Sequence, residues 1–550
     1  MPLYPHHDEL LYAAITALKK RVYFAAFPEN PKAYAEGAAE AGIAAWQAAQ
    51  GKPFDGLLQG ESQGQVGEEV SPYTGQPLGI TYPFYAPDIL IENANRAKKG
   101  WRNTSPADRA AMLIEALQCA KHRFFELAHA TMHTTGQSYM MSFQASGPHA
   151  ADRAMESIAL GYEQLTQYPE QVEWRKPMGK LDIVVNKTFK AIPKGINLVI
   201  GCSTFPTWNT VPGLFAGLIT GNTVIVKPHP GSVYPIAIVI AELQKVFNDN
   251  GIDPCVVQLA ADSSTHLITK LLAEDTAINL IDYTGGSAFG NYIEALTGKT
   301  TFTEKAGINS VIIESCNNID DVIANLSFAV SLYSGQMCTA PQNFFIPQQG
   351  IKTPDGIVSF DEFAIKFKTA VLGIATHPKM GAGTLGAIQN QTTHLRALNA
   401  QNLGTPLLIG TPIANEEYPN ARTCSPSIIE LASDANLVFE QELFGPIVLL
   451  VKCENAADAL QKAKNICHTH GAITCAAYTT DATFKQQIID EMESVFCPVS
   501  FNLTGFIWVN QHAAFSDFHV SGGNPAGNAS FTNQEFICKR FVWIGNREVG

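Results

Sequence analysis

The feature that most constrains this chain is a regular alternation of short apolar runs with helical segments between residues 196 and 300. Ile196 to Ile200, Thr223 to Val226, Val256 to Leu259 and Ile278 to Tyr283 are runs of strand composition. Strands separated by helices do not pair as hairpins. Each helix carries the chain back across the sheet, so the strands lie parallel with helices on the sheet's faces. A second alternating region runs from about 310 to 510. At 550 residues, 46% of them hydrophobic, the chain exceeds one compact core and predicts two or three sub-domains.

The segments before residue 196 read differently. Residues 8 to about 50 are rich in alanine, with Leu10, Leu11, Ala14 and Leu18 at helical spacing and Pro28 and Pro31 as interruptions. They predict two or three helices in an N-terminal extension. Residues 51 to 70, rich in Gly, Gln and Glu, read as a loop. Residues 86 to 165 are helical in pattern, with Asp88 as a cap and Ser105-Pro106 opening a second helix. Residues 181 to 193 have strand composition and stand isolated between the helical and alternating regions.

Several classes of function are excluded. The formal net charge is -13, without the basic footprint of a nucleic-acid binder. No apolar run reaches the roughly 18 residues of a membrane-spanning helix, and Met1 to Leu10 has no signal-peptide pattern. The eleven cysteines are scattered and odd in number, which argues for a reducing, cytoplasmic setting. Cys467-His468-Thr469-His470 reads as the polar end of a helix ahead of Gly471 rather than as a metal site, and no metal is expected.

Chemistry concentrates around Cys338. A lone cysteine is usually a small buried hydrophobe, but this one sits in Ser334-Gly335-Gln336-Met337-Cys338-Thr339-Ala340. That stretch resembles the active-site segment of the aldehyde dehydrogenase superfamily, in which Gly-Gln-x-Cys precedes a threonine or a small residue. Other motifs follow in the family's order. Glu304-Lys305-Ala306-Gly307 is similar to its Glu-Leu-Gly-Gly, and Cys338 lies 34 residues after Glu304, the family's spacing. Tyr283-Thr284-Gly285-Gly286-Ser287 resembles its Phe-Thr-Gly-Ser turn. Gly221-Asn222-Thr223-Val224 through Lys227-Pro228 resembles a strand of the family, and Glu442-Leu443-Phe444-Gly445-Pro446 its Glu-x-Phe-Gly-Pro. The resemblance covers roughly residues 70 to 550. The N-terminal extension, Lys227-Pro228-His229-Pro230 and Phe515-Ser516-Asp517-Phe518-His519 resemble the subgroup of phenylacetic acid degradation proteins, PaaN.

The resemblance implies an α/β fold with two Rossmann-like domains and a β-hairpin that joins the C-terminal tail in oligomerisation. Its expected divisions are an N-terminal helical extension at 1–66, an NAD(P)-binding domain at 67–177 and 197–303, a catalytic domain at 304–509, and oligomerisation and C-terminal segments at 178–196 and 510–550. It implies oxidation of a small-molecule aldehyde with NADP or NAD by a homodimer or homotetramer. Cys338 would attack the aldehyde carbon, its backbone N–H would hold the alkoxide, and Glu304 would activate the hydrolytic water. Lys227 would bond the adenosine ribose and Glu442 the nicotinamide ribose. Gly285 and Gly286 would admit the pyrophosphate, and Phe444 would pack near the nicotinamide.

Two positions depart from the family. Its second oxyanion donor is an asparagine 17 residues before the Gly of Gly-Asn-Thr; counting back from Gly221 reaches Thr204, whereas Asn209 would need a five-residue deletion. Thr204 is therefore expected to take that role. Pro230 stands where many NAD-preferring members have glutamate, so NADP is expected to be accepted at least as well as NAD. Two rival functions stay open: an acylating enzyme that transfers to coenzyme A, and a catalytically weak binding protein on the same fold.

Overall fold

A computed structural model describes residues 3–505, 507 and 514–549. Five parallel strands form the first sheet, in the order Val257–Leu259, Thr223–Lys227, Ile196–Ile200, Ile278–Gly285, Thr300–Lys305. The chain starts in the middle, winds outward one way and then the other. The order reverses between Ile196–Ile200 and Ile278–Gly285, and such a switch point opens a crevice at the strands' carboxyl ends. Every residue of Ile196–Ile200 and Thr223–Lys227 is buried, which explains their largely apolar character, with Asn197, Thr223 and Lys227 as the polar members.

The second sheet has seven strands, in the order Thr405–Leu408, Ser427–Leu431, Ile447–Cys453, Asn343–Pro347, Ser310–Ile313, Cys475–Tyr478, Val499–Phe501. Thr405–Leu408 pairs antiparallel with its neighbour and the other pairings are parallel. Two α/β units built on largely parallel sheets are thus present, as the alternating segments predict.

A third sheet is antiparallel. Gln171–Met178 and Leu181–Pro193 form a hairpin, and Phe541–Val549 pairs along Leu181–Pro193. The expected hairpin at 178–196 starts too late. Gln171–Met178 is exposed along its whole length, so no burial alternation marks it; it is a strand because Gly179, at φ 65, turns the chain back onto it. Two other expected divisions cut strands. Ile196 opens a strand of the first sheet rather than closing the hairpin, and Glu304 and Lys305 close that sheet rather than opening the next domain. The division at 509/510 lies outside the described residues.

The N-terminal extension is part of the first domain's core. Leu11, Ala14, Leu18 and Trp46, from helices Asp8–Lys20 and Ala38–Ala49, belong to the same buried cluster as Val199, Val224 and Leu280. Gly42 packs so closely on the helix Phe124–Thr135 that a Cβ there would lie 2.3 Å from that of Phe125. Ser105 caps its helix as expected, its hydroxyl accepting from the Asp108 N–H. Asp88 does not: Ala86 precedes that helix, Pro87 begins it, and Asp88 lies inside the first turn. Cys467 to His470 do end a helix, at Gly471.

One buried ion pair ties the C-terminal strand to the first sheet. Arg540, fully buried, donates to both carboxylate oxygens of Asp282 at 2.7 and 2.6 Å, and its guanidinium lies over the rings of Phe302 and Phe536.

Candidate active site

Cys338 sits on a loop whose backbone is held in an uncommon conformation. Tyr333, Ser334 and Gly335 have φ of 51°, 51° and 64°. Non-glycine residues there cost about 1–3 kcal/mol each, and such strain persists only where the surroundings over-determine it. The surroundings are visible. Tyr333 donates to the Thr135 carbonyl at 2.5 Å and Ser334 to that of Leu385 at 3.0 Å. The Gln336 amide donates to the Tyr333 and Ala387 carbonyls and accepts from the Gln389 N–H. A Cβ on Gly335 would meet the Gly445 carbonyl oxygen at 2.4 Å. The Gly-Gln of the motif is thus a clamp. Behind Cys338, Asn309 donates to the Cys338 and Ala340 carbonyls and accepts from the Ile473 and Thr474 N–H groups. Among the described residues no acceptor takes the Cys338 N–H, which leaves it available to an oxyanion.

Glu304 reaches the sulfur from the end of the strand Thr300–Lys305, buried at 1% exposure. The Asn209 amide donates to its Oε2 at 3.0 Å, and His519 Nε2 lies 3.2 Å from its Oε1. Burial opposes the charge, but His519 and Arg153 outweigh it and hold this carboxyl below its ordinary value. Lys305 points away, donating to Asn291 and Glu294, so it does not quench its neighbour. For Cys338 burial comes first, and the adjacent Glu304 adds to it; together they push the thiol well above its ordinary value.

Cys338, Glu304, Thr204, Gly285, Gly286, Glu442 and Phe444 line one cavity of about 220 Å³. Asn209, set aside in the sequence, lines it too. His519 and Arg153 were not read as site residues: His519 entered only as part of a subgroup motif, and its contact with Cys338 spans 181 residues. Arg153, from the helix Pro148–Thr166, is buried with its guanidinium 3.6 Å above the Trp208 ring. Desolvation lowers its pKa to about 10, which leaves it a cation at neutral pH.

The residues expected at the cofactor fit such a ligand. Gly286 immediately precedes the helix Ser287–Glu294, and a Cβ there would meet nothing within 4 Å. The N–H groups of that helix's first turn are of the kind that receive a pyrophosphate. Gly285 is small for a different reason: a Cβ would lie 2.5 Å from the Tyr283 hydroxyl. Glu442 faces the crevice, and desolvation raises its pKa to about 7. Phe444 lies beside it, its carbonyl held by Arg396. Lys227 lies apart from this cavity, buried against Asp262 at 2.6 Å, so a ribose there would meet an ion pair rather than a lone ammonium.

The donor atoms of Glu304, Cys338 and His519 lie within 4.8 Å of one another, and those of His6, His7 and Glu115 likewise. Either set is close enough to hold a divalent cation.

A second cavity, of about 380 Å³, also has Cys338 in its lining. Met140, Met141, Phe205, Trp208 and Leu326 give it an apolar wall, and Glu29 of the N-terminal extension lines it beside His149, its partner at 2.7 Å.

The family's sequence profile, described as the aldehyde dehydrogenase family, matches residues 59–533, and the chain belongs to that family and is an oxidoreductase of its class. A crystal structure described as an NAD-dependent aldehyde dehydrogenase from Burkholderia multivorans is 40% identical, with a TM-score of 0.97 over 100% of this chain and 99% of that one. The benzaldehyde dehydrogenase [NAD(+)] of Pseudomonas putida is 23% identical over 501 residues, 87% of this chain and 94% of the relative. The D-glyceraldehyde dehydrogenase (NADP(+)) of Picrophilus torridus is 26% identical over 434 residues, 75% and 81% of the two chains. Among the described residues, no helix is long and apolar enough to cross a membrane.

Proposed function

We propose that this enzyme oxidises an apolar, aromatic or long-chain aldehyde to the free carboxylic acid, in aromatic-acid catabolism of the phenylacetate type. The observation that carries the substrate class is the Met-, Phe- and Trp-lined cavity ending on Cys338. The benzaldehyde relative and the subgroup resemblance support it.

NAD or NADP, when bound, would supply the hydride acceptor. The Cys338 sulfur attacks the aldehyde carbon, and the carbonyl oxygen gains negative charge beside the Cys338 N–H. Thr204 faces the same space as second donor, and Asn209 brings a further amide. Loss of hydride leaves a thioester on Cys338. Glu304 then takes a proton from the water that attacks the thioester, since water at neutral pH needs a positioned base. Glu442, Phe444, Gly285 and Gly286 would hold the nicotinamide and pyrophosphate portions of the cofactor, and Lys227 with Asp262 would meet the adenosine ribose. The three-stranded sheet exposes Val172, Trp174, Ile183, Val542 and Ile544, a surface suited to a homodimer or homotetramer.

The test is product identity from an aldehyde panel, with and without coenzyme A, for the wild type and Glu304→Gln. Free acid is expected from the wild type, and a burst followed by a stall from the variant. Acyl-CoA as the main wild-type product would overturn the hydrolytic reading.

A further inference from the structure

Cys338 faces an energetic problem that the mechanism above leaves unsolved. Its half-buried thiol lies beside an ionised carboxylate, and desolvation and that charge both oppose the thiolate. A nucleophile so placed needs a hydrogen-bond donor or a cation at the sulfur.

His519 is in position to be that donor. Its Nε2 lies 3.7 Å from Cys338 Sγ and 3.2 Å from Glu304 Oε1. An imidazole nitrogen that close to a carboxylate oxygen must carry its hydrogen, because two lone pairs would otherwise face each other. The ring is firmly held. The Trp208 ring meets it edge-on at 4.9 Å, Phe531 stacks along it at 6.2 Å, and it is 7% exposed. The next residue, Val520, is β-branched yet has φ of 61° and is buried against Ile473 and Ala526, the cluster on which Cys338 packs. Strain of that kind, on a residue adjoining the nucleophile's partner, marks a backbone pinned in place.

We propose that His519 is a positioning residue for the nucleophile, its single Nε2–H shared between Glu304 and Cys338 so that the sulfur can ionise beside a carboxylate. When the S–H bond breaks, its electron pair stays on sulfur. Its proton passes to solvent, while Glu304 stays a carboxylate and His519 keeps its Nε2–H. Among the described residues, Arg153, a cation that favours both anions, and Glu156, which accepts from the Phe515 N–H, bring further charge to this cluster. The half-buried thiol of Cys202 also lines the cavity and is pushed up to about 11 by desolvation, so it stays neutral.

The inference rests on Cys338 as nucleophile, so the test reads the thiol directly. Iodoacetamide is added to the cofactor-free enzyme across a pH series, and alkylation of the Cys338 peptide is followed by mass spectrometry. His519→Phe keeps an aromatic ring between Trp208 and Phe531 and removes the donor; His519→Gln keeps an N–H. Loss of a hydrogen bond to a charged group is expected to slow Cys338 alkylation at pH 7 by about tenfold or more in His519→Phe. The midpoint of its pH profile should move up, with His519→Gln between the two. An unchanged midpoint in both variants would overturn the proposal. Should wild-type enzyme keep its activity after complete Cys338 alkylation, the nucleophile assignment itself would fall, a separate result.

Discussion

Asn209→Leu tests how the site divides its donors. Leucine keeps the branched outline of asparagine and removes its amide, losing the 3.0 Å contact to Glu304 Oε2 and the weak 3.8 Å contact from the Cys202 thiol. Both residues are buried, and the acceptor is charged, so the bond contributes about 1.5–3 kcal/mol to the ionised form. One pH unit corresponds to about 1.36 kcal/mol, so the Glu304 pKa should rise by about one to two units. The direction follows from the native state: this carboxyl is held below its ordinary value, and removing a donor to the charged form lets it climb. If Glu304 works as its carboxylate, the acid limb of the kcat profile moves to higher pH by that amount. Thr204→Val is the comparison. It removes an oxyanion donor, so kcat should fall by about 100- to 1000-fold with the acid limb unmoved. The measurement is a kcat–pH profile for both variants at saturating aldehyde and cofactor. An unmoved limb in Asn209→Leu, together with a loss of about 100-fold in kcat, would refute the reasoning and make Asn209 the oxyanion donor.

Three further outcomes are expected. Arg540→Met leaves the Asp282 carboxylate buried without its partner, which should cost about 3–5 kcal/mol of stability and show as a lowered thermal midpoint. Cofactor affinity, titrated by calorimetry between pH 6 and 8, should strengthen as Glu442 ionises through its pKa of about 7 and becomes a better acceptor for ribose hydroxyls; Glu442→Gln should flatten that dependence. Glu68 contributes negative charge at Lys227 and His229, so Glu68→Gln should shift the NADP-to-NAD affinity ratio toward NADP by about fivefold, roughly 1 kcal/mol, and no change would remove Glu68 from the ribose site.

The parallel strands were legible because burial makes their sequences mostly apolar. Cys338, Glu304 and Gly335-Gln336 were legible because each lies in a short contiguous motif. Gly335 shows why such a motif has physical content: its φ and its approach to the Gly445 carbonyl both demand glycine. The strand Gln171–Met178 was not legible, since a strand exposed throughout carries no periodic signal. Nor was the role of His519, because a contact 181 residues long depends on how the chain closes around the site. Asn209 was discounted on an ungapped count back from Gly221. That count locates backbone positions, but it does not say that a side chain one turn into the helix Pro206–Ile219 points back at Glu304.

The most direct test of the central claim is to look for the covalent intermediate. Glu304→Gln, mixed with an aromatic aldehyde and NAD or NADP and quenched in acid, should carry an adduct on the Cys338 peptide equal to the aldehyde mass less two hydrogens. It should form in step with a single burst of reduced cofactor and be absent from Cys338→Ala. Sustained aldehyde oxidation by Cys338→Ala, or a full burst with the adduct on another residue, would contradict the account.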